Sequence, residues 1–291
     1  MSRDTVVWII VAGILNGGVY ALAAMGLSIQ YGVARVLNLS HGEFIMVAAW
    51  LAWVFFTRLE INPLISMPII ALFFLGIGFA LYRTLFTALR NKAVSPAAFE
   101  GNSLLAAFGL LYIVYNVAAL IWPGLPQTLY WLAGGVDILG VRFGLNSVVA
   151  LAGAVAFGVA FYIFVNRSRL GKAIRAAAED PATAALMGIN INRVLPLCFG
   201  LGLLLAGIAG VLLSMCFAIS TGMGLRYTVI ALIVVALGGL GSILGSFIGG
   251  FILGIIGSIV TQLQPALTMV AFYAILMILL VARPKGLLGK S

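Results

Sequence analysis

The chain has 291 residues, of which 64% are hydrophobic and 8% charged, and carries a formal net charge of +9. A soluble domain needs a polar surface that this composition cannot supply, and apolar runs of 18 or more residues recur along it, so the sequence is that of a polytopic helical membrane protein. The positive balance is then expected on loops facing anionic lipid, not on a surface for nucleic acid.

The first apolar run starts after Arg3 and Asp4 and reaches about Tyr31. It is too long for a signal-peptide core and reads as an uncleaved first span, at roughly residues 5–30. Further segments are expected at roughly 43–57, 63–86, 101–122, 144–165, 194–218, 226–238, 245–262 and 266–282. The seventh is short enough to be re-entrant, which makes eight full crossings the alternative. The fold class expected is an all-α polytopic membrane protein of about 8–9 membrane segments with broken or re-entrant helices. It forms a single transmembrane domain over residues 1–291, with an aqueous segment at about 166–193. Arg35, Arg83, Arg90, Lys92, Arg167, Arg169, Lys172, Arg175, Arg193, Arg283, Lys285 and Lys290 fall on one side, against Arg3, Arg58, Arg142 and Arg226 on the other. The richer side is the cytoplasmic one, so the C-terminus is inside and, with an odd number of crossings, the N-terminus outside.

Two apolar stretches are interrupted by glycine and polar residues. Tyr31–Glu43 brings Asn38, Ser40, His41 and Glu43 together; Leu237–Ser246 carries Gly238, Gly239, Gly241 and Ser242. Broken helices towards the two ends of a membrane chain point to a transport pathway, because the freed backbone groups need a cavity or a protein partner. An ionisable group at membrane depth is costly and marks function. The competing reading puts His41 and Glu43 at the cytoplasmic surface, starting a helix whose positive end suits a carboxylate. Both readings stand at this point.

The longest outer loop, about 123–143, holds Pro123, Pro126, Gln127, Tyr130, Trp131 and Asp137. Its aromatic pair reads as an interfacial belt, or as part of a surface that receives an external protein. Gly245 and Gly249, and Gly250 and Gly254, are spaced four apart, so each pair shares a helix face that permits close packing, with a second membrane subunit as one possible occupant. Cys198 and Cys216 are 18 residues apart in one helix, about 27 Å, and cannot pair.

The stretch from Asn166 to Pro196 is the polar exception. Arg169, Lys172 and Arg175 follow an i, i+3 spacing and form a positive ridge if helical. Glu179 and Asp180 follow. Asp180-Pro181 is a helix start, the carboxylate capping free N–H groups and proline suiting the first helical position. Ala182, Ala184 and Ala185 make a short helix of small residues, ending in Leu186 and Met187, and Gly188 is its stop. Such a surface suits the close approach of another protein; on composition alone an ordinary positive-inside loop is the better reading.

Arg169-Leu170-Gly171-Lys172-Ala173-Ile174-Arg175-Ala176, then Glu179-Asp180-Pro181, then Ala184-Ala185-Leu186-Met187-Gly188-Ile189-Asn190 together resemble the cytoplasmic coupling segment of ABC importer permeases. Asn38-Leu39-Ser40-His41-Gly42-Glu43 and Leu237-Gly238-Gly239-Leu240-Gly241-Ser242 extend the resemblance, which is to the LivH-type permeases of branched-chain amino-acid importers. Gly188 and Leu195-Pro196 fit the older importer signature, while Ala176-Ala177-Ala178-Glu179 replaces its Glu-Ala-Ala opening. The resemblance implies an inner-membrane permease subunit of a bacterium or archaeon that translocates leucine, isoleucine, valine or a related small polar substrate. It implies a second related permease subunit, making a heterodimer, two cytoplasmic ATP-binding subunits that hold ATP and Mg, and a periplasmic or surface substrate-binding protein. It also assigns ATPase coupling to Arg169, Lys172, Arg175, Glu179, Asp180, Pro181, Ala184, Ala185 and Gly188. Similar permeases serve urea, short amides and aromatic acids.

The residues themselves exclude most chemistry. One histidine and no Cys-x-x-Cys make a metal site improbable, and no Ser/His/Asp set can be placed. Gly289-Lys290-Ser291 ends like a phosphate-binding loop, but Pro284 stands where that motif requires glycine, so no cofactor is expected on this chain. An ion-coupled transporter working alone would carry paired ionisable residues deep in its spans, and only the Arg35–Glu43 region offers any.

Overall fold

Helix α1 (Arg3–Ala34) is the longest element. The computed structural model describes residues 2–283 together with Gly286 and Leu287; Lys285, Lys290 and the terminal Gly289-Lys290-Ser291 lie outside the described residues. The Ser2 hydroxyl caps α1 by accepting from the Thr5 N–H, and Arg35 closes it in a left-handed conformation at φ 54°.

The tightest partner of α1 is α11 (Ile243–Leu263). A Cβ on Gly17 would lie 2.8 Å from the Phe251 Cα, and Gly250 and Gly254 in turn press on Ala21, Gly13 and Gly17. Helices in lipid gain little from hydrophobic burial against each other, so small residues that let backbones touch are what hold such a pair. The paired glycines of α11 are therefore spent inside this chain and are not a stripe for a second subunit.

At the centre stands α9 (Ile191–Cys216), with 89% of its most apolar window buried, against 17% for the peripheral α5 (Pro96–Ile121). Around α9 pack α1, α2 (His41–Arg58), α3 (Pro63–Leu81) and α6 (Leu145–Arg167). A π turn at Tyr82–Phe86 carries α3 into α4 (Thr87–Lys92). The aqueous segment supplies α7 (Arg169–Glu179) and α8 (Pro181–Leu186); α10 (Met223–Gly238) and α12 (Thr268–Ala282) complete the bundle.

All nine expected segments fall on helices, but among the described residues six helical stretches are long and apolar enough to cross a membrane: 3–34, 63–92, 96–121, 145–167, 191–216 and 243–263. Helices α2, α10 and α12 are shorter, and the first two begin inside the bundle. The expected all-α class also needs one correction. Strands β1 (Gly135–Ile138) and β2 (Val141–Gly144) form an antiparallel hairpin with Val136 opposite Phe143 and Asp137 opposite Arg142. Its two-residue turn has Leu139 at φ 52° and Gly140 at φ 90°. That turn normally announces itself as Asn-Gly or Asp-Gly, and leucine in the first position hides it. The same loop is pinned across the end of α9 by Gln127, whose N–H and C=O pair with Ile219 at 2.9 and 2.7 Å.

Candidate functional site

After α1 ends, the chain turns back along it. The Val36 N–H reaches the Gln30 carbonyl, the Asn38 amide donates to Gln30 Oε1 at 3.2 Å, and the His41 ring donates from Nε2 to the Ala23 carbonyl at 3.0 Å. Ala23 lies 11 residues before Ala34, about 16 Å up the helix. Helix α2 thus starts deep in the bundle, with Asn38, Ser40, His41 and Glu43 all buried. Placement of His41 and Glu43 at the cytoplasmic surface is overturned.

The break is held by a polar relay. Asn38 Oδ1 accepts from the Ser40 N–H and hydroxyl at 3.2 and 2.6 Å, and Gln30 Nε2 donates onward to the Phe199 carbonyl of α9 at 3.1 Å. From α10, the Thr228 hydroxyl accepts from the Gly42 N–H at 2.9 Å and donates to the Leu39 carbonyl at 3.1 Å. Freed backbone groups at the start of α2 are thereby satisfied where water cannot serve them. Two side-chain atoms remain without a hydrogen-bond partner, His41 Nδ1 and Glu43 Oε2, the latter wedged against Gly224.

The second break lies elsewhere. Helix α10 ends at Gly238, and Gly239 and Gly241 take φ of 102° and 83°, a region open to glycine but costly for other residues. Ser242 then caps α11 through the Gly245 N–H at 3.1 Å. Thr228 and Gly238 are ten residues apart on α10, about 15 Å, so the two predicted clusters do not converge on one site. What meets the second break is the tail of α1: a Cβ on Gly32 would lie 2.7 Å from the Gly241 Cα.

Beneath that meeting point lies the aqueous segment. Ser168 caps α7 through the Gly171 N–H at 2.8 Å, and Gly171 packs so closely on the Val165 carbonyl that no side chain fits there. Gly171, Ile174 and Ala177 form the buried face of α7, while Arg169, Lys172 and Arg175 stand exposed on the other, forming the ridge that the i, i+3 spacing implies. Arg175 also donates to the Val165 carbonyl, tying α7 to α6. A cavity of about 510 Å³ opens between Tyr31, Arg35, Arg175, Glu179 and Ser242, so α7, the α1 tail and the second break share one wall.

Helix α8 follows. Its cap is the Asp180 carboxylate, which accepts from the Ala182 N–H at 2.9 Å and from the Thr183 hydroxyl, with Pro181 at the first helical position. The hydroxyl and the N–H hold this carboxyl below its ordinary range. A lowered folded-state pKa means that the cap is fully in place above the ordinary aspartate range and is lost only as pH falls below it. Gly188 closes the segment at φ 85°, its N–H on the Ala185 carbonyl at 3.0 Å. Ala184 is buried against the chain's own core, so it is not part of an exposed small-residue face; Ala185 is exposed, and so are Leu186 and Met187, 87% and 80% accessible.

Residues 9–281 match the family described as branched-chain amino acid transport system / permease component. The chain is 31% identical over 300 residues to the high-affinity branched-chain amino acid transport system permease protein BraD of Pseudomonas aeruginosa, covering 97% of this chain and 95% of that one. It is 30% identical over 302 residues to the corresponding protein LivH of Escherichia coli K12, at 96% and 94% coverage. The chain belongs to this permease family. Among solved structures, PsaBC from Streptococcus pneumoniae in complex with Fab aligns with 95% of the permease and 92% of its own chain, at 15% identity and a TM-score of 0.49.

Several residues of the permease that the sequence did not single out are now visible: Gln30 and Thr228 in the first break, and Gly32 against the second. Gln30 had a signal, an amide inside an otherwise apolar helix. Arg226 is also displaced from expectation. It sits in the first turn of α10, where the adjoining Tyr227 ring meets Tyr20, about halfway along α1, because α10 starts only where Gly224 meets Glu43.

The burial of Glu43 sets one expected result. Glu43→Gln keeps the shape and removes the charge-bearing group, so uptake through an assembled importer should fall several-fold while ATPase co-purification stays at the wild-type level. Unchanged uptake with unchanged assembly would make Glu43 a helix-starting residue only, worth about 0.3–1 kcal/mol through the dipole of α2.

Proposed function

We propose that this permease forms half of the membrane pathway of a binding-protein-dependent ABC importer for branched-chain amino acids. A second, related permease would supply the other half as a heterodimer. Two cytoplasmic ATP-binding subunits, holding ATP and Mg, would drive the pair between outward and inward states, and a periplasmic or surface binding protein would deliver the substrate. The relatives' names, which describe high-affinity branched-chain amino acid transport, support the substrate class.

One observation carries the mechanism. Helix α7 is fastened to α6 through Gly171 and Arg175 and walls the cavity under the Gly32–Gly241 contact. A load applied to α8 therefore passes through α7 to the point where the α1 tail meets the second break. In this reading Arg169, Lys172, Arg175, Glu179, Asp180, Pro181, Ala184, Ala185 and Gly188 belong to the ATPase coupling element, with Ala184 anchoring it from inside. Gly238, Gly239, Gly241 and Ser242 form the inner gate, and Asn38, Ser40, His41 and Glu43, buried inside the subunit, brace the wall of the pathway from behind.

The orientation follows from charge. Arg35, Arg90, Lys92, Arg167, Arg169, Lys172, Arg175 and Arg193 lie at helix ends on the α7–α8 side, and Arg3, Arg58 and Arg142 at the opposite ends. Positive loops stay in the cytoplasm, which supports a C-terminus inside and an N-terminus outside, in the cytoplasmic membrane of a bacterium or archaeon.

The test is reconstitution. Vesicles holding both permeases and both ATPases should accumulate leucine only with ATP and the loaded binding protein, and the purified chain alone should neither bind nor hydrolyse ATP. Saturable ATP binding by this polypeptide, or leucine uptake without the ATPases, would overturn the reading.

A further inference from the structure

Helix α10 brings one charge into the bundle at a depth where charge is rare. Tyr20, which meets Tyr227 next to Arg226, is 17 residues from Arg3 and 14 from Ala34, about 26 Å and 21 Å along α1. The Tyr20 and Tyr227 rings stand 6.5 Å apart, and Arg226 immediately precedes Tyr227 in the first turn of α10. Arg226 and its neighbour Leu225 are exposed, Tyr20 is half-buried, and the ring of Tyr227 is buried. Among the described residues, Arg226 has no ion pair, and neither it nor the two phenols has a hydrogen-bond partner within the chain.

A guanidinium cannot face hydrocarbon at this depth without a large penalty, so the open side of α10 faces water or protein, not lipid. Its five donors are set in a fork whose complement is a carboxylate.

We propose that Arg226 forms a waypoint in the pathway that receives the carboxylate of the passing substrate. This rests on the importer reading above and narrows it: the cargo must carry a carboxylate, as a free amino acid does and urea or a simple amide does not. The site holds the anion loosely, since a pathway must release what it binds.

Two measurements decide it. In vesicles carrying the complete importer with saturating loaded binding protein, Arg226→Gln should lower leucine uptake about tenfold, while ATP hydrolysis stays within about twofold and Arg226→Lys, which keeps the charge, retains most of the uptake. The second readout does not depend on transport. In a chain with Cys198 and Cys216 replaced by alanine and with Leu225→Cys, a small anionic thiol reagent should react faster relative to its cationic analogue, and Arg226→Gln should reduce that ratio about tenfold. Uptake within about twofold of wild type in Arg226→Gln, or Lys failing as completely as Gln, would overturn the proposal. So would a labelling ratio that ignores Arg226, or loss of the second permease from the Arg226→Gln complex, which would make Arg226 the partner of a carboxylate on that subunit. If the wild-type importer does not move leucine, the functional reading falls, and the labelling ratio still decides whether Arg226 attracts anions.

Discussion

Replacing Gly241 with valine should stop uptake while the assembled importer continues to hydrolyse ATP. Gly241 has φ 83°, and its Cβ position lies 3.0 Å from the Gly32 Cα. Valine is therefore penalised twice: by a backbone conformation costing about 1–3 kcal/mol for an L residue, and by collision with a backbone that has nowhere to go. Its branched side chain would push the α1 tail away from the start of α11, and with it the wall shared with α7. Gly32→Ala should show the same defect more mildly, because only the collision applies there. Gly76→Ala in α3 is the control, since nothing lies within 4 Å of its Cβ position. Uptake and ATP hydrolysis in vesicles check this; full uptake by Gly241→Val would mean that the contact is not a gate.

The second large effect is expected at α8. Ala185→Trp and Gly188→Val should both lose transport, well beyond Asp180→Ala. Ala185 is exposed beside Leu186 and Met187, so tryptophan there blocks a docking surface without entering the permease core. Gly188 has open space around it, so valine fails on φ alone, by about 1–3 kcal/mol against the reversal that returns the chain to α9. Asp180→Ala removes a cap from a helix that Pro181 still starts, a smaller loss. Ala184→Trp is the discriminating comparison: Ala184 is buried, so that variant should lower membrane abundance, whereas Ala185→Trp should not. Abundance, ATPase co-purification and uptake, measured on the same preparations, separate folding from docking.

Much of this arrangement was legible in the sequence where local chemistry decides it. Asp180, Pro181 and Gly188 define α8 through capping, fixed φ and positive φ, which are properties of single residues. The ridge of Arg169, Lys172 and Arg175 follows from helical spacing. Depth was not legible. Hydropathy shows that residues 43–57 and 226–238 are apolar but not where along the bundle they begin, and the return of residues 36–40 along α1 depends on bonds to Gln30, Ala23 and Thr228, distant in sequence. For the same reason Arg226 read as an outer residue, and the α11 glycines as free to meet another subunit when α1 already fills them. The β-hairpin was hidden by a leucine at a position usually held by Asn or Asp.

The central claim, that the α7–α8 segment is where ATP-driven force enters the permease, is tested most directly by a photo-crosslinking residue at Leu186, with Leu120 on peripheral α5 as the control. In the assembled, transporting importer, the probe at position 186 should capture an ATP-binding subunit, and Ala185→Trp should abolish that capture, while the probe at 120 captures none. A fully active importer in which position 186 captures no ATP-binding subunit would contradict the account.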